Sequence, residues 1–139
     1  MGQWKKASCH LTQKMQILEK IAANTETQCR FIHKREMKGL GRVLKERGVL
    51  LEELTALNQE LISDQTWKNV LALAPMAREI ARRQQELLKR SRQVLQEAVA
   101  ERELIAAELR NSKVHRQVKN QYVHPWAIMA RGIRINQKG

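Results

Sequence analysis

Residues that break or punctuate a chain are scarce in this sequence. Its 139 residues include two prolines, six glycines, one tyrosine, one phenylalanine and three tryptophans. An all-β fold needs turn residues about every ten positions, with aromatic or β-branched strands between them, and this poverty excludes it. No apolar run comes near the roughly 20 residues that a membrane-spanning helix requires. The opening MGQWKKASCH lacks an apolar stretch of the signal-peptide kind. Lys6 stands where the myristoylation pattern requires Ser or Thr. A cytoplasmic chain is therefore expected, with its two cysteines, Cys9 and Cys29, as reduced thiols.

Acids are missing from both ends. All 14 lie between Glu19 and Glu108, and residues 19–110 also hold 17 of the 26 basic residues. Nine of the twelve excess positive charges therefore sit on the two ends. A nearly balanced body with basic ends argues against a body built to grip nucleic acid. It favours ends that meet acidic protein surfaces.

Constellations that carry chemistry are equally thin. Cys29 and His33 are four residues apart on a helical pattern and can face one metal ion, but two ligands are too few for a tetrahedral site. The glycines of KGLGRVLKERG follow no strand pattern and precede no Gly-Lys-Ser/Thr, so a phosphate loop is not expected. No serine or cysteine has a base and an orienting acid at a useful spacing. The expectation is a protein that is not an enzyme, with no metal and no cofactor. Carboxylates such as Glu86 have a basic residue four positions on, here Arg90, which reads as solvated pairing along one helix. The basic stretch 78–93 reads as a solvated helix face, with phosphate tracking as the sharper alternative.

What the chain has in quantity is Leu, Ile, Val, Ala and Met, set among Glu, Gln, Lys and Arg at helical spacing. Leu11, Met15, Leu18, Ala22, Thr25, Cys29 and Ile32 share one face of a first helix. KGLGR at 38–42 interrupts the pattern and predicts a turn or kink. Leu40, Leu44, Arg47, Leu51, Leu54, Leu57 and Leu61 mark a second helix; the stem of Arg47 is expected to cover the seam while its head reaches water. Pro75 predicts a break at Ala74 and suits the first turn of a third helix. That helix carries Ile80, Gln84, Leu87, Ser91, Val94, Ala98, Ile105 and Leu109 on one stripe. At 1.5 Å per residue it is a rod of roughly 55 Å, which the first two helices, running in opposite directions, would cover.

The fold expected is all-α. Residues 1–111 form one elongated antiparallel three-helix bundle or hairpin with coiled-coil-like packing, its helices at about 11–37, 41–62 and 75–111. Residues 112–139 form a basic C-terminal segment, partly helical and then extended or disordered. Aromatic and aliphatic side chains in that segment need a cover, which the body, a partner protein or stacked bases can supply.

The mid-chain ERGVLLEEL, the long-helix RQQELLKRSRQVLQEA and the ending GIRINQKG resemble the FlgN type of flagellar export chaperone. The resemblance spans about Leu11 to Gly139. It implies a cytoplasmic, almost wholly helical chaperone. Such a chaperone binds the C-terminal helical segments of hook–filament junction proteins and delivers them to the export gate of the flagellar type III secretion apparatus. It also implies gate contact by a tyrosine just past the last helix, the place that Tyr122 holds here. Physically, Leu87, Leu88, Val94, Leu95, Val99 and Leu109 make more apolar stripe than two shorter helices cover, and a client helix in a groove can use the surplus. A homodimer would bury it as well. Trp126, Ile128, Ile133 and Arg134 are the partner contacts expected from the tail. Two other classes fit the composition: a structural coiled-coil component of a secretion or assembly apparatus, and a basic helical nucleic-acid binder.

Overall fold

A computed structural model describes residues 2–112, which form three helices and no strand. Helix α1 spans Gly2–Lys34, α2 spans Met37–Ser63 and α3 spans Ala74–Arg110, with two short 3₁₀ turns at Thr66–Asn69 and Leu71–Leu73 before α3. The segment expected to be a basic tail, 113–139, lies outside the described residues. No helix among the described residues is long and apolar enough to cross a membrane.

Helix α1 starts well before Leu11. Its threonines cause no break, because Thr12, Thr25 and Thr27 turn their hydroxyls back onto the carbonyls of Ser8, Ile21 and Ala23. The turn between α1 and α2 lies at Arg35–Glu36 and not at 38–42. Arg35 adopts a left-handed backbone with φ 55°. Its amide donates to Ile32 O and the Glu36 amide to Phe31 O, which closes the end of α1 as a Schellman motif. An arginine in this conformation costs roughly 1–2 kcal/mol. Its side chain offsets that cost by reaching Glu101 and Glu108 of α3.

Gly39 and Gly41, which marked a turn in the sequence, are helical. Gly39 is buried because the Phe31 ring lies on the α2 backbone: a Cβ at Gly39 would sit 2.9 Å from Phe31 Cε2. The glycine serves a close helix approach, a use that spacing along the chain does not distinguish from a turn. Pro75 stands in the first turn of α3 as expected, but Ala74 is not a break: its backbone is helical (φ −59°, ψ −43°) and it is the first residue of α3, directly after the 3₁₀ turn Leu71–Leu73.

Helix α1 is the shared element. It packs closely along both α2 and α3, whereas α2 and α3 make next to no close backbone approach to each other. Contacts between α1 and α2 run in opposite order along the two helices: Asn24 bonds Val43 O and Thr25 bonds Arg47, while Leu11 shares a cluster with Leu61. Contacts between α1 and α3 run in the same order: Glu19 meets Arg83, Glu26 meets Arg90 and His33 meets Glu97.

Two apolar clusters fill the interior. One, near the Arg35 turn, contains Ile32, Leu40, Val94, Ala98, Ile105 and Leu109. The other, at the opposite end, contains Ala7, Leu11, Leu18, Leu61, Leu73 and Ile80. Buried polar side chains lie between them: Asn24, Thr25, Gln28 and Arg47. Arg47 is only 4% exposed, so its head does not reach water as the stem-and-head reading expected. The guanidinium donates to Thr25 Oγ1 at 2.7 Å and to Ser91 Oγ at 3.1 Å, linking all three helices. Burial pushes it down to about 10, which still leaves it charged at neutral pH.

Two outcomes follow in denaturation experiments. Gly41→Ala is expected to add about 1 kcal/mol of stability, because nothing lies within 4 Å of the added methyl group. Gly39→Ala, which must displace the Phe31 ring, is expected to give none of that gain. Arg47→Ala should cost on the order of 3 kcal/mol by opening a cavity and breaking the polar link. Arg47→Met, which keeps the packed stem, should cost clearly less; equal losses would mean that stem packing contributes nothing.

Candidate functional site

Three of the six basic residues in the stretch 78–93, Arg82, Arg83 and Arg90, are held in ion pairs. Arg83 Nη1 reaches Glu19 Oε1 of α1 at 2.7 Å, and Arg90 grips both carboxylate oxygens of Glu26 at 2.7 and 2.9 Å. Arg82 is tied to Glu79 and Glu86 on its own helix. The expected Glu86–Arg90 pair does not form, because Arg90 turns across to α1. Glu19, Glu26 and His33 lie seven residues apart, as do Arg83, Arg90 and Glu97, so one pair recurs every two turns. These arginines clamp α3 to α1 and are less available for tracking phosphates than their number implies.

The six leucine and valine positions expected to form a client groove do not share one surface. Val94 is 1% exposed and Leu109 8%, both in the core cluster beneath α1. Leu87 and Leu95 are half-buried against the two clusters. Leu88 at 39% and Val99 at 43% are exposed. The expected groove is corrected on Val94 and Leu109: both pack into the cluster with Ile32 of α1 and Leu40 of α2 and are consumed by the core. The expected partner contacts Tyr122, Trp126, Ile128, Ile133 and Arg134 lie outside the described residues.

A different cleft opens where α2 and α3 diverge over α1. It has a volume of about 330 Å³. Leu11 and Lys14 of α1 form its floor, Asn58, Leu61 and Ile62 of α2 one wall, and Ala77, Ile80, Ala81 and Gln84 of α3 the other. Trp67 and Lys68 close one end. The Trp67 ring is held by its Nε1 donating to Leu61 O at 3.0 Å, with Lys68 Nζ 5.9 Å from the ring centroid. Ile62 is 64% exposed. The α3 wall is built of alanines, which allow another backbone to come close. Burial lowers the pKa of the Lys14 ammonium from its ordinary value, and a carboxylate brought into the cleft would compensate that desolvation.

The wall residues of the cleft belong to longer stripes in the sequence of the two helices. On α2, Leu44, Gly48, Leu51, Thr55, Asn58 and Ile62 recur at alternating steps of four and three. On α3, Ala77, Ala81, Gln84, Leu88, Leu95 and Val99 share one face at the same period. These second stripes are legible in the sequence once the core stripe has been subtracted. They were missed because Gly48, Thr55, Ala77 and Ala81 do not register as apolar signals. The shape and lining of the cleft suit the apolar face of a helix. Comparison with family models, with curated proteins and with solved structures returned no match.

The clamps make stability depend on acid. Hydrogen bonds from Arg90 to Glu26 and from Arg35 to Glu108 hold both carboxyls below their usual value of 4.5, and Arg82 with Arg83 brings Glu79 to about 2. Folded chains therefore bind fewer protons than unfolded ones below pH 4.5. The contribution is complete above that value and is lost as pH falls toward 2. Urea midpoints should drop over this window, and less steeply at high salt, because the pairs are solvent-exposed.

Proposed function

We propose that this protein is a helix-binding chaperone whose α2–α3 cleft holds an amphipathic helix of a client. One observation carries the reading: α2 and α3 both pack on α1 but barely approach each other, and they leave a cleft of about 330 Å³ beside Trp67 with no covering element among the described residues. The occupant has an apolar face for Ile62, Leu88 and Val99 and an acidic edge for Lys14 and Lys68. Its binding would give the elongated, coiled-coil-like array the fourth helix it lacks. The resemblance of ERGVLLEEL, RQQELLKRSRQVLQEA and GIRINQKG to the FlgN type supports a narrower form. In that form the client is the C-terminal helical segment of a hook–filament junction protein, held in the cytoplasm. The basic segment with Tyr122, Trp126, Ile128, Ile133 and Arg134 then delivers it to the flagellar export gate.

Clamped arginines in 78–93 weigh against the nucleic-acid alternative. The deciding test is calorimetry of the full chain with a junction-protein C-terminal helix, at two salt concentrations. Expected are one-to-one binding, a negative heat-capacity change and mild salt dependence. Ile62→Asp and Ala81→Asp, both at exposed positions, should leave the helical circular dichroism intact and weaken binding tenfold or more. Unchanged affinity in both variants would remove the cleft from the mechanism. No client binding, with single-stranded DNA binding that collapses between about 50 and 200 mM salt, would favour a phosphate grip.

A further inference from the structure

Cys29 and His33 stand one helical turn apart on α1, and α3 brings Glu97 up to both. Cys29 Sγ donates to Glu97 Oε2 at 3.1 Å, and His33 Nε2 lies 3.4 Å from the same oxygen. The sulfur, imidazole nitrogen and carboxylate oxygen all fall within 4.8 Å of one another. We propose that Cys29, His33 and Glu97 form a binding site for a divalent cation of the zinc class, with water in the fourth coordination position.

Geometry supports this first. With zinc bonds of about 2.3 Å to sulfur and 2.0–2.2 Å to nitrogen and oxygen, tetrahedral ligand atoms lie roughly 3.4–3.6 Å apart. The Sγ–Oε2 and Nε2–Oε2 separations of 3.1 and 3.4 Å lie within about half an ångström of that, and the sulfur and imidazole nitrogen are no more than 4.8 Å apart, so side-chain adjustment can bring the three atoms onto one ion. Ligand chemistry supports it second. One sulfur, one imidazole and one carboxylate select zinc over magnesium or calcium, which take oxygen ligands. Charge supports it third, since a thiolate and a carboxylate balance a dication.

The surroundings complete the site. Arg90 Nη2 lies 3.6 Å from Cys29 Sγ, and Glu26 holds that guanidinium in place. It can donate to a metal-bound thiolate, as outer-shell groups do. His33 and Glu97 have side chains 56% and 39% exposed, so an ion enters from solvent without opening the core. On coordination the thiol S–H bond breaks, the S–Zn bond forms and the proton passes to solvent. Glu97 lies on the side of α3 opposite Leu95 and Val99, so this site and the client cleft stand independently. A bound ion would cross-link α1 to α3 close to the Arg35 turn.

The test is titration of the reduced full-length chain with Co²⁺, followed by Zn²⁺. Expected are a near-ultraviolet thiolate-to-cobalt charge-transfer band, visible bands of four-coordinate intensity, saturation at one thiolate-bound ion per chain, and displacement by Zn²⁺. Cys29→Ser should abolish the charge-transfer band. His33→Gln and Glu97→Gln should each weaken binding tenfold or more. Cys9→Ser, at an exposed position on α1, should change nothing. Zn²⁺ should raise the melting temperature of the wild-type chain and not that of Cys29→Ser. A band lost in Cys9→Ser but kept in Cys29→Ser would overturn the site in favour of the Cys9–His10 pair. Full affinity in Glu97→Gln, or no charge-transfer band at all, would overturn it as well.

Discussion

The guanidinium of Arg47, buried where three helices meet, constrains everything around it. A charge taken out of water is tolerable only with hydrogen-bond acceptors placed to receive it. Thr25 of α1 and Ser91 of α3 supply them, each on a different helix. Leucine stripes alone allow helices to slide by a turn or a heptad at little cost, because one leucine replaces another. Sliding α2 along α1 would bring Arg47 against apolar neighbours in the clusters on either side. The buried asparagine and glutamine add to the penalty: Asn24 bonds both Val43 O and the side chain of Gln28. The polar layer weakens the core locally and in return selects one register.

Once the register is set, the rest of the architecture depends on α1. Both other helices pack along it, so its buried arc is broad and includes Ile21 and Gln28 besides the expected leucines. With their best faces spent on α1, α2 and α3 have little left for each other. Beside Trp67 they leave the cleft between them. Aliphatic surface stays exposed at Ile62 in the cleft and at Leu88 and Val99 farther along α3, which a folded chain keeps at a cost of about 25 cal/mol for each Å² left wet. A client helix would recover that cost, which is the physical core of the proposed function.

Charge is used in two ways. In the body, arginines on α3 meet acids on α1 at seven-residue intervals, reinforcing the alignment that Arg47 imposes from within. Exposed pairs of this kind contribute little each and are screened by salt, so they act more as alignment marks than as sources of stability. At the ends, the basic excess has no acids in the same segments.

Sequence by itself determined the helical class, the three helices, the place of Pro75 in the first turn of α3 and the buried stripe of α3, because periodicity and proline act locally on the backbone. It also showed Arg47 in line with the leucines of α2, though not that its head is buried. Tertiary structure decided the rest. Gly39 read as a turn residue because the ring of Phe31 that needs its missing side chain sits on another helix. Val94 and Leu109 read as groove residues because nothing local tells a stripe that meets a partner from one left open. Glu97 joins Cys29 and His33 only because α3 lies beside α1 with its residues offset by 64. Burial and ligand geometry are properties of pairs of helices, and no single helix carries them in its own spacing.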